Sequence, residues 1–247
     1  MLEQLTRPRR DAGAYTYRYE MHCHCNWCSA CAHSSPQAMA QAYYQAGYAG
    51  MVLTDHFLSG NTAIDRSLPW KDKVEAYWRA YEAARDWAQG RSRDFTVLFG
   101  LEHQYGGGKE VLTYGIDLDF LLAHPDLDQY SLADYTDAVR RAGGLISMAH
   151  PYRHAGYIDD TILPQPQYLD GAEVYNYGNT PEENRQAYEL AREHHLIPTS
   201  GGDVHREDEE NLAKAGIALA SPIATGDELV QVLRSLDYRI IADGQVR

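Results

Sequence analysis

The chain has 247 residues, with 22 Lys plus Arg against 35 Asp plus Glu and a formal net charge of −13. Its 44% apolar and 23% charged residues mark a globular chain, long enough to bury a sizeable core as one large domain or two small ones. The acid excess, with no lysine-rich run to relieve it, argues against a nucleic-acid polymer or an anionic membrane surface as the main partner. No stretch reaches the roughly 18 apolar residues of a membrane span. The opening MLEQLTRPRRDAG lacks the apolar core of a signal peptide, so a soluble cytoplasmic protein is expected.

In chain order, Tyr15 to Cys25 alternates and reads as a strand. Ser35-Pro36 opens a helix that Gly47 closes. Gly50 to Thr54 is a short buried strand, followed by a loop over residues 57–70. Lys71 to Gln89 is helical, with Val74, Tyr77, Trp78, Tyr81 and Ala88 on one face. Strands follow at Thr96–Phe99 and Val111–Ile116. Ser131 and Asp134 start a helix that ends at Gly143-Gly144, and Leu145–Ala149 is the next strand. Ala172–Tyr175 is a strand, Thr180-Pro181-Glu182-Glu183 opens a helix with a capping box, and Ile197–Ser200 is a strand. Thr225 with Glu228 caps a last helix carrying Leu229, Leu233 and Leu236, before a final strand at Tyr238–Ala242. Strand and helix alternate about seven times, which argues for parallel βα units. With no linker in sight, residues 1–247 read as one domain.

Eleven histidines and four cysteines clustered within nine residues (Cys23, Cys25, Cys28, Cys31) point to metal or catalysis rather than to disulfides. His22 and His24 end the first strand, and residues two apart on a strand face the same side. His56 follows the second strand, Glu102-His103 the next, His150 the strand before Pro151, and Asp203 and His205 the strand at 197–200. In a barrel these C-terminal strand ends meet at one face. Imidazole and carboxylate at that density suit Zn, Mn or Fe. Alternation turns Cys23 and Cys25 away from that face, so Cys23, Cys25 and Cys28 read as small buried apolar residues. His103 should point off the opposite face of its strand. His124, His194 and His195 read as structural.

Met21-His22-Cys23-His24, Leu53-Thr54-Asp55-His56, Gly100-Leu101-Glu102, Met148-Ala149-His150-Pro151 and Gly202-Asp203-Val204-His205 occur in that order. Together with Glu173-Val174-Tyr175-Asn176, this set resembles the successive motifs of the PHP (polymerase and histidinol phosphatase) superfamily. The resemblance spans about residues 17–210, leaving 211–247 as a closing strand and helix. It implies a distorted (β/α)7 barrel of PHP type holding two to three divalent metal ions (Zn, Mn or Fe). By motif position, His22, His24, Glu102 and Asp203 would hold the first ion. Glu102 would bridge to a second, joined by His150, and His56 with His205 would hold a third.

Two positions depart from the commonest pattern of the family. Cys31 stands where a third-site Asp or His is usual, with His33 as the alternative, and a thiolate is a good zinc or iron ligand. The second-metal His is replaced in Lys109–Gly115, where Glu110 is the substitute expected. Arg153, His154 and Arg206 are candidate contacts for a substrate anion. The implied reaction is hydrolysis of a small phosphate monoester by a hydroxide bridging two metals, with Glu102, Asp203 and His205 at the catalytic centre. The alternatives are an amide or ester hydrolase of the related metal barrels and a non-catalytic metal-binding domain. Gly106-Gly107-Gly108 lacks the following Gly-Lys-Ser/Thr of a phosphate loop.

Overall fold

The computed structural model describes residues 2–91 and 94–247, with the backbone alone for Glu3. Along the chain run β1 (Tyr17–Cys23), α1 (Pro36–Gln45), β2 (Gly50–Leu53), α2 (Trp70–Ala88), β3 (Thr96–Gly106), β4 (Lys109–Tyr114), α3 (Leu118–Ala123), α4 (Leu132–Arg141) and β5 (Leu145–Met148). They are followed by β6 (Gly171–Asn176), α5 (Pro181–His194), β7 (Ile197–Gly201), β8 (Gly216–Leu219), α6 (Gly226–Ser235), β9 (Arg239–Ala242) and β10 (Gln245–Val246). All ten strands lie in one sheet, in the order β10-β9-β8-β1-β2-β3-β4-β5-β6-β7.

The helix starts are those that the caps dictate. Ser35, Ser131, Thr180 and Thr225 each accept a hydrogen bond from a backbone N–H in the first turn of α1, α4, α5 and α6. Thr180 and Glu183 form the reciprocal capping box. On α2, Val74, Tyr77 and Ala88 are buried, while Trp78 and Tyr81 are half-buried against the core. Leu236 lies past the end of α6 rather than on it, capping the helix in a left-handed conformation.

β1, β2 and β3 run parallel, as do β5, β6 and β7. Between these sets β4 is antiparallel to both neighbours, a correction to the all-βα series. The cause is local. Only Gly107 and Gly108 separate β3 from β4, and both have positive φ (53° and 73°), as a tight two-residue hairpin requires. A parallel return would need a crossover of about a dozen residues or more. Beyond residue 210 the single expected closing strand is three, since β8, β9 and β10 extend the sheet antiparallel from β1.

The sheet curls so that the exit of β7 reaches the end of β1. The Asp203 N–H donates to the His22 carbonyl (2.8 Å) and the His24 N–H to the Val204 carbonyl (2.9 Å). Tyrosine supplies much of the packing within the curl. The buried rings of Tyr19, Tyr48, Tyr114 and Tyr238 donate their hydroxyls to the carbonyls of Ile223, Ala215, Met21 and Pro198. These four tyrosines thus combine apolar bodies with polar tips that satisfy buried backbone.

Candidate metal centre

Six separated strand-end segments converge at one face. His22 and His24 leave β1, His56 follows β2, Glu102 sits on β3, Glu110 on β4, His150 follows β5, and Asp203 with His205 follows β7. Glu102 is the hub and is fully buried. Its Oε1 lies 3.2 Å from His22 Nε2 and 3.1 Å from His150 Nε2. Its Oε2 lies 2.8 Å from His56 Nδ1 and 3.5 Å from His24 Nε2. Asp203 Oδ1 is 3.4 Å from His22 Nε2 and 3.2 Å from His24 Nε2. Glu110 spans two imidazoles, with Oε1 3.2 Å from His56 Nδ1 and Oε2 3.6 Å from His150 Nε2.

Apart from the His150 Nε2–Glu102 Oε1 pair, this proximity is not hydrogen bonding. His22 Nε2, His24 Nε2, His56 Nδ1 and Glu102 Oε2 are buried without a hydrogen-bond partner. Orphaned buried polar atoms are costly. Four in one cluster, all lone-pair donors, fit a divalent ion that accepts those lone pairs. Four overlapping groups have their ligand atoms within 4.8 Å of one another: His22–His24–Asp203, His22–Glu102–His150, His56–Glu102–Glu110 and His24–His56–His205.

The electrostatics carry the same conflict. Burial works against a charge on His22, yet Asp203, Glu102 and Glu173 hold its pKa well above the ordinary value. His24 is held well below by burial and by the neighbouring His205 and His56. Burial and the nearby Glu102 raise Glu110. For Glu102 itself, burial is outweighed by His22 and His56, which hold it well below the usual carboxylate range.

Outer contacts fix the ligands. Glu173 Oε1 lies 3.0 Å from His22 Nδ1, while its Oε2 accepts the His150 N–H (2.9 Å) and the Asn176 side-chain amide (2.9 Å). An N–H on His22 Nδ1 directed at this carboxylate leaves Nε2 as the lone pair. Ser29 Oγ lies 3.1 Å from His24 Nδ1, donates to Asp55 Oδ1 (2.7 Å) and accepts the His56 N–H (3.0 Å). Two of the ligand candidates carry strained backbone, His150 at φ 29° and Asp203 at φ 54°. At Gly201, which precedes the Asp203 turn, a Cβ would sit 2.3 Å from His22 Cβ and 2.5 Å from Glu173 Oε1. Only glycine lets β7 approach β1 this closely.

Above the cluster opens a cavity of about 430 Å³ lined in part by Cys31, Gln104, Glu110, Arg153, Tyr157 and His205. Cys31 is half-buried. Burial raises its thiol, but hydrogen bonds and charge from His205 and His56 outweigh this and bring it down to about 6. His33 is exposed, and its N–H donates to the His205 carbonyl.

The three candidate anion contacts separate. Arg153 is at the centre, its guanidinium donating to Asp203 Oδ2 (2.5 Å), Asn176 Oδ1 (2.8 Å) and Asn179 Oδ1 (2.9 Å). The structure does not bring the other two to the ligand cluster. The His154 side chain is 81% exposed beside Asp160, and Arg206 points outward to pair with Asp208. His103 faces off the opposite side of β3, stacked on Tyr135 at 4.1 Å, and burial lowers it to about 3. Sequence reasoning quoted Glu173, Asn176 and Asp55 without a role and passed over Ser29 and Asn179. A buried carboxylate in an otherwise apolar strand was the available signal for Glu173.

The architecture recurs in solved structures. Over 98% of this chain and 69% of the other, it matches a two-domain protein from Bacteroides vulgatus named as containing a PHP-like metal-dependent phosphoesterase (TM-score 0.66, 15% identity). The fold is the PHP fold. An amidohydrolase from Chromobacterium violaceum, with bound sulfate, matches over 92% of this chain and 98% of its own (TM-score 0.53, 15% identity). A lesion-specific endonuclease from Pyrococcus furiosus matches over 91% of this chain and 57% of its own (TM-score 0.63, 11% identity). No protein-family model and no curated protein matches the sequence. The neighbours share the fold at 11–15% identity, and the first two are named as a PHP-like metal-dependent phosphoesterase and an amidohydrolase. No described helix is long and apolar enough to cross a membrane.

Proposed function

We propose that this chain is a single-domain phosphoesterase, a distorted (β/α)7 barrel of PHP type with one antiparallel member, hydrolysing a phosphate monoester of a small molecule with two to three divalent ions. The observation that carries this reading is the set of four buried, unpartnered ligand atoms around Glu102 beneath an open cavity. His22, His24, Glu102 and Asp203 would hold one ion, Glu102, His150 and Glu110 a second, and His56, His205 and Cys31 a third. Bound there, such ions lower the pKa of water and neutralise charge on phosphoryl oxygens.

The chain's own residues do the rest. Glu102, reached by four imidazoles, sets the spacing between the ligand groups. Arg153 fixes the Asp203 carboxylate so that one oxygen takes the guanidinium and the other faces His22 and His24. Arg153 also lines the cavity, where its cationic edge favours an anionic ester. The His205 Nδ1 N–H donates to the Asp203 carbonyl (2.9 Å), which leaves Nε2 to ligate or to protonate a leaving oxygen.

A cavity of about 430 Å³ in a chain of net charge −13 favours a small ester over a nucleic-acid strand, although two neighbours are endonucleases. The test is metal analysis of the purified protein with a phosphatase screen that includes a DNA duplex. Two to three ions per chain and monoester turnover lost in Glu102→Ala are expected. Less than one ion per chain, or activity surviving Glu102→Ala, overturns the reading. Cleavage of the duplex in place of monoesters overturns the substrate class.

A further inference from the structure

We propose that Cys25 and Cys28 form a reversible dithiol–disulfide pair, a modification site coupled to the metal centre through Asp55 and Ser29. Each cysteine of the cluster has a different setting. The Cys23 thiol donates to the Val52 carbonyl (3.3 Å), and Cys31 lines the cavity. Cys25 and Cys28 are buried, the Cys28 thiol donates to the Ala76 carbonyl (3.9 Å), and the two sulfurs lie with an Asp55 oxygen inside one 4.8 Å group.

The backbone suits a bridge. The Cys28 N–H donates to the Cys25 carbonyl (3.3 Å) and the Ser29 N–H to the same oxygen (3.0 Å). An i to i+3 turn of this kind holds its end Cα atoms within about 7 Å. A disulfide spans Cα separations of roughly 4.4–6.8 Å. The two central residues, Asn26 and Trp27, are exposed, so opening this one surface turn uncovers both sulfurs. A disulfide is neutral and keeps the pocket apolar, whereas a buried thiolate pair would not.

The oxidant is a small disulfide such as oxidised glutathione. One cysteine sulfur attacks it, forming a mixed disulfide and releasing one glutathione thiol. The other sulfur then displaces the second. The cysteine pair loses two electrons and two protons, and two reduced glutathione molecules carry both away.

Oxidation removes a specific hydrogen bond. The Cys25 thiol donates to Asp55 Oδ2 (3.0 Å), while Asp55 Oδ1 accepts the Cys25 N–H (2.7 Å) and the Ser29 hydroxyl (2.7 Å). Ser29 in turn orients His24 Nδ1 and holds the His56 N–H. Asp55 sits one hydrogen bond beyond the partners whose loss weakens metal binding by about 10–100-fold, so the effect falls at the lower end, about 10-fold. The coupling rests on the metal-centre reading; the thiol pair itself does not.

The test uses the full chain, loaded with metal and reduced. It is equilibrated with oxidised glutathione, quenched in acid, alkylated and mapped by peptide mass. A Cys25–Cys28 link that excludes Cys23 and Cys31, reversed by dithiothreitol, is expected, with metal retention against a chelator about 10-fold weaker. Cys28→Ala removes the pair but keeps Cys31, and should hold metal under oxidant as the reduced protein does. Four alkylatable thiols, a link through Cys31, or unchanged retention in the linked form overturns the proposal. A reduced chain that binds no metal instead overturns the metal-centre reading and leaves the thiol result to stand alone.

Discussion

Replacing Glu173 by Gln changes one atom and should disable a ligand it does not itself supply. The carboxylate faces His22 Nδ1 with one oxygen and two N–H donors, from His150 and Asn176, with the other. A glutamine cannot serve all three. If its amide oxygen keeps the two donors, its NH2 opposes His22 Nδ1. His22 must then carry its proton on Nε2, which points at Glu102 and Asp203. The opposite flip leaves two buried donors unpaired at about 1–3 kcal/mol each, so the tautomer change is the cheaper outcome. Losing the hydrogen-bond partner of a ligand imidazole weakens metal binding by about 10–100-fold, or roughly 1.4–2.7 kcal/mol. Metal affinity is read by competition with a chromophoric chelator, and the fold of the metal-free protein by its thermal melt. The expected result is a weakened centre on an intact fold. Affinity within about twofold of wild type would refute the argument that Glu173 fixes the His22 tautomer.

Three further outcomes follow from the site. With its thiol near 6, Cys31 should be alkylated first in the metal-free native chain, at a rate that rises between about pH 5 and 7 and then levels, and metal should protect it, as mass spectrometry would show. Arg153→Ala, which strips the Asp203 carboxylate of its guanidinium, should weaken metal binding about 10-fold or more, while Arg206→Ala should leave it within about twofold, both by chelator competition. Gly201→Ala places a methyl 2.3 Å from His22 Cβ and should cost about 1–3 kcal/mol, a fall in Tm of roughly 3–10 °C by calorimetry.

What was legible in the sequence was whatever depends on short periods. His22 and His24 share a side because strands alternate, and the other ligand candidates announce themselves by following apolar runs. The helix caps were equally local. The direction of β4 was not read, because Val111–Tyr114 is an apolar run whichever way it points, and only the two-residue turn before it decides. β8 is four residues long and α3 six, too short for a periodic signal. The role of Glu173 is a contact across 151 residues, made only when the exit of β7 returns to β1. Arg153 and Arg206 both follow strand-end motifs, and nothing in their neighbours in sequence tells that one turns in and the other out.

The β3–β4 hairpin sets the pocket's charge by register. Glu102 and Gln104 share one side of β3, and Gln104 stands opposite Glu110. On either side of Glu110 are Lys109 and Val111, whose side chains point the other way. A one-residue insertion or deletion in the 105–108 tip would therefore exchange a carboxylate for an ammonium or an isopropyl group at the cavity wall. The length of this turn is thus a one-step evolutionary dial, able to rewrite the chemistry of the centre without touching any of its histidines.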